Sequence, residues 1–207
     1  MNLGIIGAGS VGGTLGRRFA QLGHSVAFGS RRPDSPEMAE LARQPNARVV
    51  SPYEAAQSAE ALILATPWPN TAEALRGLGN LTGKIVLDCI NPLKPDLSGM
   101  ALANTTSGAE QVAEWAPGAR VVKIFNTVGF GVMANPAFGS ESATMFYCGD
   151  DGAAKGVARD LAAQLGFDPV DAGPLARARL LEPFALLWIS LAIGGHGREI
   201  AFRLMHR

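Results

Sequence analysis

The sequence predicts an α/β fold: a doubly wound, mainly parallel sheet with a C-terminal helical segment. Three observations carry this. Leu3–Gly12 (L-G-I-I-G-A-G-S-V-G) is a short apolar run, then closely spaced glycines, then a helical pattern in which Val11, Leu15, Phe19 and Leu22 recur at spacings of three and four. Apolar runs then alternate with helical patterns at roughly 25–30-residue spacing, and the runs are continuous, as in strands covered on both faces. After about residue 175 no strand pattern remains. Residues 1–174 therefore form the expected sheet domain and 175–207 a helical appendage that packs over the open end of the sheet or against a second subunit.

Each element has its own signal. The first strand covers Leu3–Ile6, and its helix ends at the turn Gly23-His24. Ser25–Gly29 is a second strand. Ser35-Pro36-Glu37 opens a helix, with serine as cap and proline in the first turn, and Pro45 stops it. A third strand spans Arg48–Val50, and Ser51-Pro52-Tyr53-Glu54 is a capping-box start. Ala61–Ala65 is a fourth strand, followed by Thr66-Pro67-Trp68-Pro69 and a helix over 71–78. Lys84–Cys89 is a fifth strand, and residues 93–106 read as loop. Ser107 and Glu110 mark a helix to Trp115, and Arg120–Phe125 is a sixth strand that ends in Asn126-Thr127-Val128-Gly129-Phe130-Gly131. Thr144–Cys148 and Asp168–Asp171 are further strands around a helix over 153–165. The pattern from Leu175 is helical, with a break at Gly194-Gly195.

Composition narrows the function classes. The 207 residues carry 18 basic and 18 acidic side chains, and no basic cluster is present, so nucleic acid is not an expected partner. The first strand begins at Leu3, which leaves no room for a leader peptide. Cys89 and Cys148 each sit in or beside an apolar run and read as reduced core thiols of a cytoplasmic protein. His24, His196 and His206 match no ligand spacing, so no metal is expected. The run Leu186–Ile193, bounded by Glu182-Pro183 and Gly194-Gly195, is too short for a membrane span of about 20 residues and reads as a buried helix.

Gly7-Ala8-Gly9-Ser10-Val11-Gly12 fits G-x-G-x-x-G in the strand–turn–helix setting of a Rossmann dinucleotide site. Gly7 permits the turn, Gly9 lets the backbone approach a pyrophosphate, and Gly12 lets helix and strand pack closely. An NAD site has a carboxylate about 20 residues on, at the end of the second strand. Here that place reads Gly29-Ser30-Arg31-Arg32, which suits a 2′-phosphate, so NADP(H) is the expected cofactor. Loops 7–12, 29–32, 65–69, 89–94 and 126–131 should converge on one cleft. Thr66, Pro67 and Trp68 are expected to line the cofactor wall, with Asn91 beside them. Asn126 and Thr127 could bond the nicotinamide carboxamide or an acceptor, and Gly129 and Gly131 would let backbone approach a flat ring beside Phe130. Lys94 and Lys123 are the only plausible proton donors, and neither is well placed. Lys123 could face the cleft or a sheet edge. Hydride transfer needs no protein acid if the acceptor manages its own protons.

With these loops identified, the chain resembles the NADPH-dependent reductases of the deazaflavin coenzyme F420. The resemblance rests on G-I-I-G-A-G-S-V-G at 4–12, G-S-R-R at 29–32, A-T-P-W at 65–68, D-C-I-N-P at 88–92, V-K-I-F-N-T at 122–127 and D-A-G-P-L-x-x-A-R-x-L-E at 171–182. It implies that Ser30 and Arg31 hold the 2′-phosphate and that Asn126 lies near the site of hydride transfer. It further implies that Glu182 and the helix after it, which carries Trp188, help close an acceptor pocket, and that C-terminal helices pair two copies in a homodimer. Archaeal members have His at the position of Asn126. The N-T form is similar to the NADPH-binding domain of the STEAP ferric reductases, which pass electrons through a flavin to haem. The implied acceptor is therefore a deazaflavin or a flavin. Two alternatives stand beside it: an NADP-dependent dehydrogenase of a small imine or hydroxy acid, which would want a cleft lysine, and a non-catalytic NADP-sensing module.

Overall fold

The computed structural model describes all 207 residues. The first half alternates strictly: β1 (Asn2–Ile6), α1 (Ser10–Gln21), β2 (Ser25–Gly29), α2 (Pro36–Ala42), β3 (Ala47–Val50), α3 (Pro52–Ser58), β4 (Ala61–Leu64), α4 (Trp68–Arg76) and β5 (Ile85–Asp88). The second half continues with α5 (Gly108–Trp115), β6 (Arg120–Lys123), α6 (Phe130–Ala134), β7 (Ala137–Phe138), β8 (Glu141–Ser142), β9 (Thr144–Gly149), α7 (Gly152–Leu165) and β10 (Asp168–Asp171). A 3₁₀ turn at Leu175–Arg177 leads into α8 (Ala178–Leu191) and a π-helical turn at Ala192–His196.

Eight strands form one sheet in the order β3-β2-β1-β4-β5-β6-β9-β10. All neighbours are parallel except β6 and β9, which pair antiparallel at Val122–Gly149 and Lys123–Cys148. The chain steps outward from β1 to β3 and then crosses back to β4 on the other side of β1. The crevice between β1 and β4 is thus the topological switch point, where such sheets bind ligands. The continuous apolar runs have the expected cause, because alternate residues enter two cores on opposite faces. Leu3, Ile5, Ala61 and Ile63 pack with Leu15, Phe19 and Leu161. Ile6, Leu62 and Leu64 pack with Ala55, Leu75, Val112 and Leu181.

Some local expectations are corrected. Helix α4 starts at Trp68 rather than residue 71, because Pro69 fits a first turn that needs no N–H from it. Ser35 precedes α2 in extended conformation but makes no capping bond, whereas the Ser51 hydroxyl accepts from the Glu54 amide at 3.1 Å. The loop after β6 contains the five-residue helix α6, and the β7–β8 hairpin follows; both are too short to show a period. The run Leu186–Ile193 is not a separate buried helix: Pro183 lies inside α8, and within the run only Trp188 is buried while Leu187 and Ile193 are exposed. The helical stretch runs Leu175–His196, 22 residues that are long and apolar enough to span a membrane by length and composition alone. Its buried residues Leu175, Ala178, Leu181, Ala185 and Trp188 pack within the protein, as does the charged Glu182. The break falls at Gly195, whose φ is +112°. Residues 198–207 are not helical: the Thr144 amide donates to the Phe202 carbonyl (3.0 Å), the Leu204 amide donates to Thr144 Oγ1 (3.0 Å), and Phe202 packs on Phe184.

Candidate functional site

A cleft of about 500 Å³ opens at the switch point. Its floor is the β1–α1 turn. Gly7 has φ +96°, and a Cβ there would lie 2.5 Å from the Ala65 carbonyl oxygen. A Cβ on Gly12 would collide with the Gly7 carbonyl, so α1 can approach the turn only with glycine at this place. Gly9 faces open space, which leaves its backbone free to meet a ligand. One wall is Ser30-Arg31-Arg32 at the end of β2, where the Arg32 amide donates to Ser30 Oγ at 3.0 Å. Ser51, Pro52 and Tyr53 at the start of α3 extend that wall, and Thr66, Pro67, Asn70 and Glu73 form the opposite one. Two arginines thus face a single lining carboxylate, and that carboxylate is not on β2. These residues fit a phosphorylated dinucleotide: a cradle that a Cβ would fill, the N-terminus of a 12-residue helix above it, and a cationic turn at the ribose position.

A second cluster lies at the ends of β5 and β6, outside this cleft. Phe125 takes φ +58°, a left-handed backbone that is strained for a bulky residue and that turns the chain sharply into Asn126. Asn126 is 4% exposed and Thr127 2%. Asn126 Nδ2 donates to Asn91 Oδ1 (3.0 Å) and to the Leu181 carbonyl of α8 (3.1 Å), and Asn91 Nδ2 returns a bond to the Asn126 carbonyl (2.9 Å). Asn126 Oδ1 and Thr127 Oγ1 are buried without a hydrogen-bond partner. An orphaned buried acceptor of this kind costs about 1–3 kcal/mol, which a ligand donor would relieve. The carboxamide of a nicotinamide is such a donor.

Beside this pair lies a buried ionic cluster. Lys123 Nζ, fully enclosed, contacts Asp88 Oδ2 at 2.9 Å and Glu182 Oε1 at 2.8 Å, and it donates to the Ile90 carbonyl. The second carboxylate charge is met by backbone donors. Glu182 accepts from the Gly108 and Ala109 amides at the start of α5 (2.9 and 3.1 Å), and Asp88 Oδ1 accepts from the Ile90 amide (2.9 Å). Burial works against the charge on Lys123, but Asp88 and Glu182 outweigh it and hold its pKa above the ordinary lysine value. Burial pushes the Glu182 carboxyl up despite Lys123. Removing one partner from a buried pair typically costs about 3–5 kcal/mol. Burial also raises both thiols, Cys148 to about 12, and both cysteines are free.

The fold brings together Gly7, Ser30, Arg31, Arg32, Thr66 and Pro67 around the cleft, with Gly9, Ser10, Val11 and Gly12 in the adjoining turn and first helical turn. Asn91, Asn126 and Thr127 gather separately at the β5–β6 ends. Three placements are corrections. Trp68 does not line the cleft; its ring stacks on Trp115 at 5.2 Å, because α4 begins at this residue and turns it toward α5. The Glu182 carboxylate faces no open pocket, being consumed by Lys123 and the start of α5. Trp188 is 9% exposed and donates from Nε1 to the Ile200 carbonyl at 2.7 Å, so the tail residues cover it. Phe130, by contrast, is 41% exposed. Sequence reasoning missed the joint role of Asp88, Lys123 and Glu182. A signal was present: each is a lone charge inside an apolar run (I-V-L-D, V-V-K-I-F, L-L-E-P-F), and their charges can only be buried together.

A doubly wound sheet with a glycine cradle at its switch point and a basic turn after β2 defines a dinucleotide-binding protein of the Rossmann class. The family model described as NADP oxidoreductase, coenzyme F420-dependent, matches residues 2–92. The crystal structure of a protein assigned as an F420-dependent NADP reductase, from Arthrobacter sp. FB24, shares 31% identity at a TM-score of 0.91 and covers 100% of both chains. The chain belongs to the F420-dependent NADP oxidoreductase family and has its NADP(H)-binding oxidoreductase fold. The metalloreductase STEAP3 of Rattus norvegicus is 31% identical over 190 residues, which are 89% of this chain and 36% of that protein. The chain thus spans a little over a third of the length of the curated relatives it matches. An Aspergillus terreus reductive aminase with NADPH bound shares the fold at 20% identity and a TM-score of 0.70, covering 94% of this chain and 62% of the aminase.

Proposed function

We propose that this chain binds NADP(H) across the β1–β4 cleft and transfers a hydride between the nicotinamide and a flat redox acceptor, a deazaflavin of the F420 type or a flavin. The observation that carries the reading is the cationic turn Ser30-Arg31-Arg32 at the end of β2, where an NAD site would hold a carboxylate. When bound, the nicotinamide supplies or accepts the hydride. The protein's own residues bind and orient. Gly7–Gly12 and the start of α1 hold the pyrophosphate, Arg31 and Ser30 the 2′-phosphate, and Thr66 and Pro67 the wall. Asn126 Oδ1 and Thr127 Oγ1 supply the buried acceptors for the carboxamide. The exposed Phe130 ring borders the acceptor side. The C-terminal segment 175–207 closes this side and pairs two copies through α8. Two free buried thiols fit a reducing compartment, which we take to be the cytoplasm.

The dehydrogenase reading requires a lysine that can reach a substrate. Lys123 is enclosed and paired with two carboxylates, and the exposed Lys94 lies outside the cleft lining. Stopped-flow mixing of NADPH-loaded protein with F420 and with FMN, followed by absorbance, tests the proposal. Oxidation of NADPH in one turnover by either acceptor is expected. Tight NADPH binding with no oxidation by either would sink it and favour a sensing module.

A further inference from the structure

We infer that the buried Asp88–Lys123–Glu182 cluster is a positioning device for the side-chain amide of Asn126, which it locks so that Oδ1 is presented as a pure hydrogen-bond acceptor. The inference rests on the hydride-transfer reading for its functional consequence, but the geometry stands by itself. Three segments cage Asn126: the end of β5 through Asn91, the end of β6 that carries Asn126 itself, and α8 through the Leu181 carbonyl. Lys123 holds all three within one to three residues of those contacts. It bonds the Ile90 carbonyl next to Asn91, it pairs with Glu182 next to Leu181, and it sits three residues before Asn126 on the same strand end.

The chemistry of the cage leaves one amide orientation. Asn91 Nδ2 is spent on the Asn126 carbonyl, so Asn91 offers only its oxygen to the Asn126 side chain. The Leu181 carbonyl is likewise an acceptor. Only the amide nitrogen of Asn126 can lie between two acceptors, so both of its N–H groups are consumed and Oδ1 points away, buried and unpartnered. A flipped amide would set oxygen against oxygen in a dry site. Phe125, one residue before Asn126, takes a left-handed φ of +58°, a strained conformation at the same corner. Lys123 touches no cleft and is a positioning residue; Glu182 acts through Leu181 in the same way.

Gly108 offers a gentle way to disturb the device. A Cβ there would lie 3.1 Å from Glu182 Oε1 and 3.2 Å from Pro92 Cδ, so Gly108→Ala presses on the carboxylate without removing a charge. The test compares wild type, Glu182→Gln and Gly108→Ala, with Asn126→Asp as the direct reversal of the amide nitrogen. The first readout is hydrogen exchange of the Asn126 side-chain NH2 by NMR in the cofactor-free protein. It should be slow in wild type and at least tenfold faster in Glu182→Gln and Gly108→Ala. The second readout is single-turnover hydride transfer from NADPH deuterated on one face of C4. NADPH affinity, set at Arg31, should stay within threefold. Transfer should slow at least tenfold in all three variants, with loss of face selectivity. Unchanged amide exchange in either folded cluster variant overturns the inference. So does wild-type transfer with full face selectivity in Gly108→Ala, even if Glu182→Gln fails to fold. A wild type that binds no NADPH overturns the functional reading alone, because amide exchange reports the positioning without it.

Discussion

At Ser30 to Arg32 the chain leaves the sheet beside the cleft, and in the proposed reading one side chain there, Arg31, selects between two cofactors. A guanidinium can meet a 2′-phosphate with paired, charge-assisted bonds, whereas a ribose hydroxyl offers it nothing comparable. Arg31→Ala should weaken NADPH binding by roughly 10- to 100-fold, the usual worth of a hydrogen bond to a charged group, and leave NADH binding nearly unchanged. Titration of both nucleotides by protein fluorescence checks this, and equal losses would remove Arg31 from 2′-phosphate recognition. The place of this turn on the cleft was legible in the sequence because it is local: three consecutive residues directly after a strand. Trp68 was not, because its partner Trp115 lies on another helix and only the fold decides which way an indole turns. Lys123 was ambiguous for the same reason. A lysine between Val122 and Ile124 has no stated destination until Asp88 and Glu182 arrive from distant segments.

Elements were legible where a period or a cap is written into adjacent residues. The strands β1, β2 and β4 show continuous apolar runs, and α3 and α5 begin at serines that accept from the amide three residues on. Helix α6 and the β7–β8 hairpin were not legible, since five residues and two residues display no period. Capping also separates two helices that each follow a residue with a side-chain oxygen. Asp151 precedes the 14-residue α7, and its Oδ1 accepts from the Ala154 amide at 2.7 Å. Its contact with Arg120 at 3.9 Å is partly exposed and adds little. Asp151→Ala should therefore cost about 1 kcal/mol and lower the melting temperature by about 2–4 °C for a chain of this size. Ser35 makes no capping bond, so Ser35→Ala should shift the melt by less than half as much. Thermal melts followed by circular dichroism compare the two, and equal shifts would mean that the cap geometry does not set helix stability here.

At the scale of the whole molecule, the outer face of α8 leaves large apolar side chains exposed. On α8, Leu180 is 60% exposed and Leu187 49%, Leu191 is half-buried, and Phe184 between them is partly covered by Phe146 and Phe202. Positions 180, 184, 187 and 191 repeat at helical spacing and form a stripe along one face. The adjoining face is fixed: Leu181, Ala185 and Trp188 enter the protein, and Glu182 ties the helix to Lys123. The helix therefore cannot rotate to hide its stripe, and burial at about 25 cal/mol per Å² would stabilise the proposed pairing of two copies through α8. A two-fold pairing would set stripe against stripe, since an isologous interface uses the same patch twice. Leu180 and Leu187 would then meet their counterparts or one another near the axis. Two glutamates there would place like charges in a dry contact, whereas on a solvent-facing helix the same residues are tolerated. Leu180→Glu/Leu187→Glu should convert a dimer to a folded monomer by sedimentation equilibrium, with NADPH affinity held within a few-fold because the β1–β4 cleft lies on other elements. A double variant that remains dimeric would exclude α8 as the interface, and a wild type that sediments as a monomer at every concentration would exclude the dimer itself.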